Sequence, residues 1–316
     1  MRTTDAASTD VANQEQPPPA QRDTLFRDSS NRLVEPPVFF AGARFADTHT
    51  HLDMLHHPDL ALARCAAHAV DFLVTVVDPT EDPRYTYDKL GAWQQAARAQ
   101  LDAWGMNSCQ LPQIQIIIGC HPHNASAYDS GVEDLLIELA QQSITAAVGE
   151  IGLDYHYDNS PRDVQQQVFR EQIRLAHRLD LPICLHLREA HGEGLAILKQ
   201  EGLPAAGALL HCFNLDYDTL EPFLELGCKV AFGGPLTFKK SEDVRQAAAR
   251  TQWDRIMTET DAPFMAPHPL RGTICGPEYV IFTAAKLAEV YSLQGQDAVD
   301  FYQQIFANAV TFFSRT

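Results

Sequence analysis

The chain has 316 residues, 45% of them hydrophobic, which suits a soluble globular protein built as one large α/β domain or two small ones. No apolar run reaches the roughly 18 to 20 residues of a membrane-spanning helix, and the first ten residues lack the apolar segment of a secretory signal. Lysine and arginine number 24 against 41 aspartates and glutamates, so the net charge is −17. This charge argues against a protein that coats duplex DNA with a broad basic face, although bound divalent ions could still hold a polyanion locally.

The first 37 residues are predicted to form a disordered tail. They are rich in Thr, Asp, Gln, Ala and Pro, as in EQPPPAQRD, and they lack apolar periodicity. Residues 38–316 are interpreted as a single domain without internal repeats. The seven cysteines, an odd number without a CxxC spacing, favour free thiols in a reducing compartment. We therefore expect a cytoplasmic protein.

From Val38 onward, short β-type runs alternate with longer segments of helical composition. The eight runs are RFADTHTH, DFLVTVV, IQIIIGCH, TAAVGEIG, LPICLHLR, GALLHCF, CKVAFGG and RIMTETDAP. Alternating strands and helices predict parallel βα units, and eight units over about 260 residues match the size of a (β/α)8 TIM-like barrel. A doubly wound open sheet is the alternative, but no run is followed by a GxGxxG or phosphate-loop pattern. The predicted fold class is therefore α/β, with a barrel.

Ionisable residues lie at the carboxyl ends of most of these runs. They are His49 and His51 in the first run, His121 and His123 in the third, Glu150 in the fourth, His186 and Arg188 in the fifth, His211 in the sixth and Asp261 in the eighth. In a barrel all of these ends face one mouth, which is where barrel enzymes place their chemistry. The sequence thus predicts one site that collects side chains from six strands.

The first of these runs continues as DTHTHLD, with four ionisable residues at alternating positions. Residues i and i+2 of a strand share a face, which predicts that its two aspartates and two histidines point the same way. We expect His49 and His51 to bind a metal ion. Asp47 is expected to support them from deeper in the barrel, and Asp53 to belong to the following loop.

Several of these residues also have a plainer interpretation. An H-x-H pair alone is a weak motif, His186 or His211 could be a core histidine bonded to the backbone, and Asp261 before Ala-Pro could cap a turn. Glu150 is harder to explain in this way, because a carboxylate after an apolar strand is rarely buried without a partner. These plainer interpretations become less convincing when the residues are considered together, because all the groups lie at the same end of successive strands.

The donor set indicates a metal site. Neutral imidazoles with carboxylates suit Zn, Mn, Fe or Co, whereas an all-oxygen shell suits Mg or Ca. One carboxylate among several histidines can bridge two ions, and two ions about 3.5 to 4 Å apart would activate a water and clamp an in-line displacement at phosphorus. We expect two divalent ions, which could be Zn, Mn or Mg.

The sequence resembles the TatD family of metal-dependent hydrolases, usually described as deoxyribonucleases, within the amidohydrolase-type barrels. The resemblance runs from Phe45 to the C-terminus on seven ordered motifs, DTHTHLD, GCHPH, GEIGLDYH, LHLREA, HCF, FGGPLTF and ETDAPF. It implies a binuclear centre. One ion would be held by His49, His51, Glu150 and Asp261, and the other by Glu150, His186 and His211.

The resemblance also implies roles in the reaction. Glu150 would bridge the ions, and Asp261 would accept or shuttle the proton of a hydroxide or water that attacks the substrate. We hypothesise that His123, together with His121, contacts the phosphate or protonates the leaving oxygen, and that Arg188 binds phosphate through its planar fork. His121 and Arg188 could instead support their neighbours without touching the substrate.

One segment departs from the family pattern. After the eighth strand many members carry a basic residue followed by Asn-Glu-Pro, whereas this chain has PLRGTICGPEYV. Arg271 and Pro277 are kept, but Cys275 and Gly276 replace Asn-Glu. The departure leaves the implied metal ligands intact and puts substrate recognition in question.

The predicted function is hydrolysis of a phosphodiester by a 3′-to-5′ exonuclease that acts on single-stranded DNA or RNA ends. The alternative is an amidohydrolase or deacylase that cleaves an amide or ester with the same activated water. Many such barrels bridge their metals with a carboxylated lysine on the fourth strand, where this chain offers Glu150. A non-catalytic binding protein on a decayed barrel would lack ligands, and all six are present. No membrane and no obligate protein partner are expected.

Overall fold

The computed structural model describes residues 24–315. Its centre is a sheet of eight parallel strands whose spatial order follows their order along the chain. A short antiparallel hairpin of β1 (Phe26–Arg27) and β2 (Leu33–Val34) precedes them. The barrel strands are β3 (Phe45–Thr50), β4 (Val70–Val77), β5 (Gln113–Ile118), β6 (Thr145–Asp154), β7 (Ile183–Arg188), β8 (Ala208–Leu210), β9 (Lys229–Phe232) and β10 (Ile256–Thr258). The predicted TIM-like barrel is confirmed, and each of the eight predicted runs overlaps one of its strands.

Helices surround the sheet. They are α1 (Pro58–Ala67), α2 (Tyr85–Ala103), α3 (Ser130–Ala140), α4 (Arg162–Leu179), α5 (His191–Glu201), α6 (Tyr217–Leu226), α7 (Glu242–Arg250), α8 (Val280–Val290) and α9 (Gly295–Phe313). Asp129 and Asp216 cap the amino ends of α3 and α6, where each carboxylate accepts a hydrogen bond from a backbone N–H of the first turn. Among the described residues, no helix is both long and apolar enough to cross a membrane.

The strands separate two apolar layers. Phe72, Val74 and Val76 of β4 point into the barrel interior, while the residues between them pack toward the helices. Phe312 and Phe313 at the end of α9 join the interior layer, and the ring of Phe313 lies 6.4 Å from that of Phe72. Because Phe72 lies near the start of β4, α9 covers the amino end of the barrel and leaves the carboxyl end as the mouth.

Side chains complete the barrel where its first and last strands meet. The Thr48 hydroxyl on β3 donates a 3.0 Å hydrogen bond to the carbonyl of Thr258 on β10, 210 positions away in sequence. The Thr258 hydroxyl donates in return to the carbonyl of Ala46 at 2.8 Å. We call this junction, between residues 45–51 and residues 256–262, the seam.

Backbone hydrogen bonds extend the seam toward the mouth. The N–H of Asp261 donates to the carbonyl of His49 at 2.9 Å, and the N–H of His51 donates to the carbonyl of Ala262 at 2.8 Å. The seam therefore brings the first strand of the barrel against the segment that contains the last strand. Three of the predicted metal ligands lie on it.

The structure differs from the prediction at residues 24–37. The predicted tail includes them, but part of this stretch forms the β1–β2 hairpin, and the buried ring of Phe26 lies 4.5 Å from that of His68 and 5.0 Å from that of Phe282. A single apolar anchor in a polar segment gives no periodic pattern, so the sequence does not reveal this contact. The rest of the predicted tail, residues 1–23, lies outside the described residues.

β3 is irregular, and the predicted common face of its ionisable residues does not hold for Asp47. The pairing of β3 with β4 shifts between Asp47 and Thr50. Ala46 packs inside the barrel, and Asp47 lies on the other face near the buried Cys65. The irregularity then allows His49 to turn toward the mouth, because it interrupts the strict two-residue alternation.

Candidate metal centre

The predicted metal ligands lie together at the carboxyl end of the barrel, with Glu150 at their centre. Its Oε2 lies 3.3 Å from His49 Nε2 and 3.8 Å from His51 Nε2. Its Oε1 lies 2.7 Å from His211 Nε2 and 3.1 Å from His186 Nδ1. The two oxygens of one carboxylate therefore face two separate pairs of histidines.

Asp261 lies next to His49 and His51 on the seam. Its Oδ1 lies 3.5 Å from His51 Nε2 and 4.0 Å from His49 Nε2, and the three residues could place one donor atom each on a single ion. Asp261 has φ of 59°, a left-handed conformation that costs a non-glycine residue energy unless its surroundings impose it. The backbone hydrogen bonds from the Asp261 N–H to the His49 carbonyl and from the Phe264 N–H to the Asp261 carbonyl hold this conformation.

The side chains of the centre fit a divalent ion, and His49 shows this fit most clearly. The side chain is fully buried, and within the described part of the chain neither ring nitrogen makes a hydrogen bond of good geometry. Such an imidazole would be costly in a finished core, because a buried polar atom without a partner loses its hydration. A cation between His49, His51 and Asp261 would give Nε2 of His49 a partner. Imidazole with carboxylate suits Zn, Mn, Fe or Co.

The electrostatics around Glu150, His49 and His121 suit metal binding. Burial lowers the pKa of His49 and lowers the pKa of His121 well below its usual value. Burial acts to raise the pKa of Glu150, but His211 and His49 outweigh it and hold that pKa well below the usual range. Metal ions bind neutral imidazoles and ionised carboxylates, so these groups are already in their binding form.

His51 and His186 have the opposite tendency, because the carboxylates that face them outweigh burial and raise the pKa of each. His211 shows this tendency most strongly. Although burial acts to lower its pKa, the facing carboxylates of Glu150 and Glu259 raise that pKa well above its usual value. A cation bound to the same carboxylates would compete with the proton on His211, since both offer positive charge to one pair of acceptors.

Glu259 is a residue that the sequence reasoning missed. It is fully buried, its Oε1 accepts a 2.5 Å hydrogen bond from the N–H of Cys212, and the same oxygen lies 3.7 Å from His211 Nδ1. With His49 and His211 it forms a further group that could hold a cation. The signal is present in TETDAP, where Glu259 precedes Asp261 by two positions.

Asp154, in the motif GEIGLDYH, contacts two histidines of the centre and the turn that follows β6. Its Oδ2 lies 2.9 Å from His123 Nε2 and 3.0 Å from His186 Nε2, while its Oδ1 accepts hydrogen bonds from the N–H groups of His156 and Tyr157. A carboxylate behind a metal-binding histidine fixes the ring orientation and tautomer. Asp154 thereby leaves Nδ1 of His186 to face Glu150.

The predicted substrate-binding residues lie on the same side of the mouth. His121 Nε2 is 3.9 Å from Glu150 Oε1, and His121 Nδ1 accepts a hydrogen bond from the N–H of His123. Because His121, Glu150 and His186 could place donors on one ion, His121 is also a candidate ligand. Arg188 lies with its guanidinium 4.7 Å from the centre of the Tyr157 ring.

Asp47 supports the centre from behind the seam. Its carboxylate accepts hydrogen bonds from the hydroxyl of Thr260 at 2.6 Å and from the N–H of Thr260 at 2.9 Å. This contact holds the segment that carries Asp261, and support of the metal ligands by Asp47 stays a prediction. Asp53 lies in the short 3-10 helix after β3, as part of the loop that was expected there.

The segment that departs from the family pattern is packed away from the mouth. Glu278 is buried and its Oε1 lies 3.0 Å from Arg64 Nε, and a Cβ placed on Gly276 would lie 2.2 Å from Glu278 Oε2. The carboxylate of Glu278 therefore occupies the space that a side chain at position 276 would enter. Of the described residues that line the cavity above the centre, none comes from residues 271–278.

The fold and the donor set are those of a metal-dependent hydrolase built on a barrel. Comparison with known proteins identifies its family. The model of the TatD related DNase family matches residues 46–314. The uncharacterized metal-dependent hydrolase YabD of Bacillus subtilis is 41% identical over 56% of this chain and 69% of its own length. The 3′-5′ ssDNA/RNA exonuclease TatD of Pantoea vagans is 32% identical over 62% of this chain and 76% of its own length.

A solved structure agrees with these sequence relatives. The crystal structure of YJJV, a TatD homolog from Escherichia coli K12, aligns with a TM-score of 0.74 at 26% identity and covers 87% of this chain and 99% of that one. The chain belongs to the TatD related DNase family of metal-dependent hydrolases, and the family expected from the sequence motifs is confirmed.

Proposed function

We propose that the protein is a phosphodiesterase that uses two divalent metal ions to remove nucleotides from the 3′ ends of single-stranded DNA or RNA. The observation that carries this proposal is the position of Glu150, whose Oε2 faces His49 and His51 while its Oε1 faces His186 and His211. A carboxylate placed in this way can bridge two ions. The proposed ligands of the first ion are His49, His51, Glu150 and Asp261, and those of the second are Glu150, His186 and His211.

The ions, when bound, supply Lewis acidity and a water that is activated at neutral pH. The protein's side chains do the rest. Burial acts to raise the pKa of Asp261, but the neighbouring imidazoles of His51 and His49 together outweigh burial and lower that pKa. An ionised carboxylate at the mouth can take the proton of the attacking water. We assign Glu150 to hold both ions during this transfer.

The substrate contacts are proposed on the side of the mouth opposite the seam. Arg188 lines the cavity and can present its planar fork to a phosphate while its guanidinium rests against Tyr157. His123 also lines the cavity and is assigned to contact the phosphate or to protonate the leaving oxygen. His121 lies between His123 and Glu150, close enough to serve the same phosphate.

The choice of a nucleic acid end as substrate is supported by the family and by the name of the Pantoea vagans relative. A net charge of −17 opposes wrapping by long polyanions, so a local contact with one end fits this chain better than a continuous track along a duplex.

The test combines metal analysis with a substrate panel. Chelator-treated protein is reloaded with Mn or Zn, bound metal per chain is counted, and hydrolysis is measured on single-stranded DNA, duplex DNA, RNA, N-acyl compounds and esters. We expect Glu150→Gln to lose bound metal and at least about 100-fold in activity, because even residues behind metal ligands cost 10- to 100-fold when changed. The matched control is Glu225→Gln, which changes an exposed glutamate on α6.

Two results would contradict the proposal. One is full phosphodiesterase activity in Glu150→Gln, which would remove Glu150 from the reaction. The other is hydrolysis of the amide or ester substrates with none of the phosphodiesters, which would assign the same centre to an amidohydrolase or deacylase.

A further inference from the structure

Exposed apolar side chains cluster around the cavity above the metal centre. The cavity has a volume of about 880 Å³. Five large hydrophobic side chains that line it are between 37% and 55% exposed, namely Met54, Tyr157, Leu215, Phe264 and Met265. Scattered exposed apolar residues need no explanation, but a contiguous set around a polar centre marks a binding surface.

Two of these side chains are aromatic and lie on opposite sides of the mouth. Phe264 follows β10 and Tyr157 follows β6, and these strands are four positions apart in the eight-stranded order. The ring of Phe264 lies 6.1 Å from that of His51, on the seam. The ring of Tyr157 lies 5.4 Å from that of His123. One aromatic ring therefore stands at each side of the centre.

The charges around the mouth restrict how an anionic strand can cross it. Asp53, Asp78, Glu81 and Asp82 line the cavity on the side of β3 and β4. Arg188, on β7, is the only lysine or arginine among the described residues that line it. Glu189 lines the cavity beside Arg188, but its carboxylate lies 2.7 Å from His156 Nδ1. A phosphate chain is repelled by the four carboxylates of the first side and attracted by Arg188, so its path passes Arg188 and lies between the two rings.

We infer that Phe264 and Tyr157 each stack on one of the two unpaired nucleobases that flank the scissile phosphate, and that Tyr157 uses the ring face opposite the Arg188 guanidinium. This inference rests on the proposed phosphodiesterase function and specifies its substrate as an unpaired dinucleotide unit. Every base offers a π-face, so two rings bind single strands without regard to sequence. A base inside a duplex has both faces covered by its neighbours. A duplex end must therefore fray before its bases can bind to the two rings.

The test uses a thymidine dinucleotide and two analogues, each lacking the base on one side of the phosphate. With metal-loaded enzyme, Phe264→Ala and Tyr157→Ala should each raise KM for the dinucleotide roughly 5- to 150-fold, the range expected for one lost stack. Each variant should have the KM of wild type on the analogue that lacks the base contacted by the mutated ring, and a raised KM on the other analogue. The two variants should therefore differ in which analogue gives the wild-type KM. Phe264→Tyr, which keeps a ring, should restore a KM near that of wild type.

Tyr85→Ala is the control, because Tyr85 is an exposed aromatic residue outside the cavity lining. A KM for Phe264→Ala and Tyr157→Ala equal to that of Tyr85→Ala would overturn the inference while leaving the phosphodiesterase intact. The inference would also be overturned if both variants had the wild-type KM on the same analogue. If metal-loaded wild type hydrolyses no phosphodiester, the proposed function itself is refuted and the inference falls with it.

Discussion

Gly276 and Glu278 share one small space behind the seam. The backbone at Gly276 has φ of −107°, which any residue can adopt, so the glycine is not needed for its conformation. What excludes a side chain is the carboxylate of Glu278, held by Arg64 and shielded from water.

The first prediction is that Gly276→Ala destabilises the protein by about 1 to 3 kcal/mol, the usual cost of overpacking a core. The added Cβ must displace the Glu278 carboxylate from Arg64. Urea denaturation measures the free energy of unfolding. The matched control is Gly91→Ala in α2, where a Cβ meets nothing within 4 Å and where alanine should stabilise the helix by up to about 1 kcal/mol.

Glu278→Ala provides the second half of this test. Once the carboxylate is gone, adding Gly276→Ala should cost much less than it does in the wild-type background, because the two side chains compete for one space. Equal effects of Gly276→Ala in both backgrounds would show that the residues are independent.

At the scale of elements, the barrel strands were predictable because their apolar, β-branched runs are short and are separated by helical segments. What the sequence could not supply are contacts between distant elements. Nothing near Asp154 reveals that it meets both His123 and His186, and nothing near Phe26 reveals that it packs on α8. Such contacts depend on the three-dimensional register of the strands, which a local pattern does not specify.

The seam gives the second prediction. Thr258→Val keeps the β-branched shape but removes the hydroxyl that donates to the buried carbonyl of Ala46. A buried acceptor left without its donor costs about 1 to 3 kcal/mol, so the free energy of unfolding should fall by that amount. The control is Thr311→Val on the exposed face of α9, which should change the free energy of unfolding by less than about 0.5 kcal/mol. A Thr258→Val variant as stable as the control would show that this side-chain bond does not help to close the barrel.

At the scale of the whole molecule, the charge of −17 sets how substrate and enzyme meet. The Debye length falls from about 30 Å at 10 mM salt to about 8 Å at 150 mM, so repulsion between two anionic partners weakens as salt is added. The third prediction is that kcat/KM for a single-stranded oligonucleotide, measured at saturating metal, rises several-fold over this range.

A small phosphodiester with a single negative charge is the control for this prediction, because it should show a much weaker dependence on salt. A steep fall of oligonucleotide affinity with salt, as found for proteins that bind through basic surfaces, would contradict it. Such a fall would mean that a positive path outside the described cavity governs binding.

The seam also sets the order in which a newly made chain can become active. His49 and His51 leave the ribosome early, whereas Asp261 and the β10 hydroxyl that meets β3 follow some 210 residues later. Pairing so distant in sequence forms late in folding. A growing chain therefore carries an incomplete form of its proposed first metal site for most of its synthesis, and it can complete that site only after the last strand has joined the first.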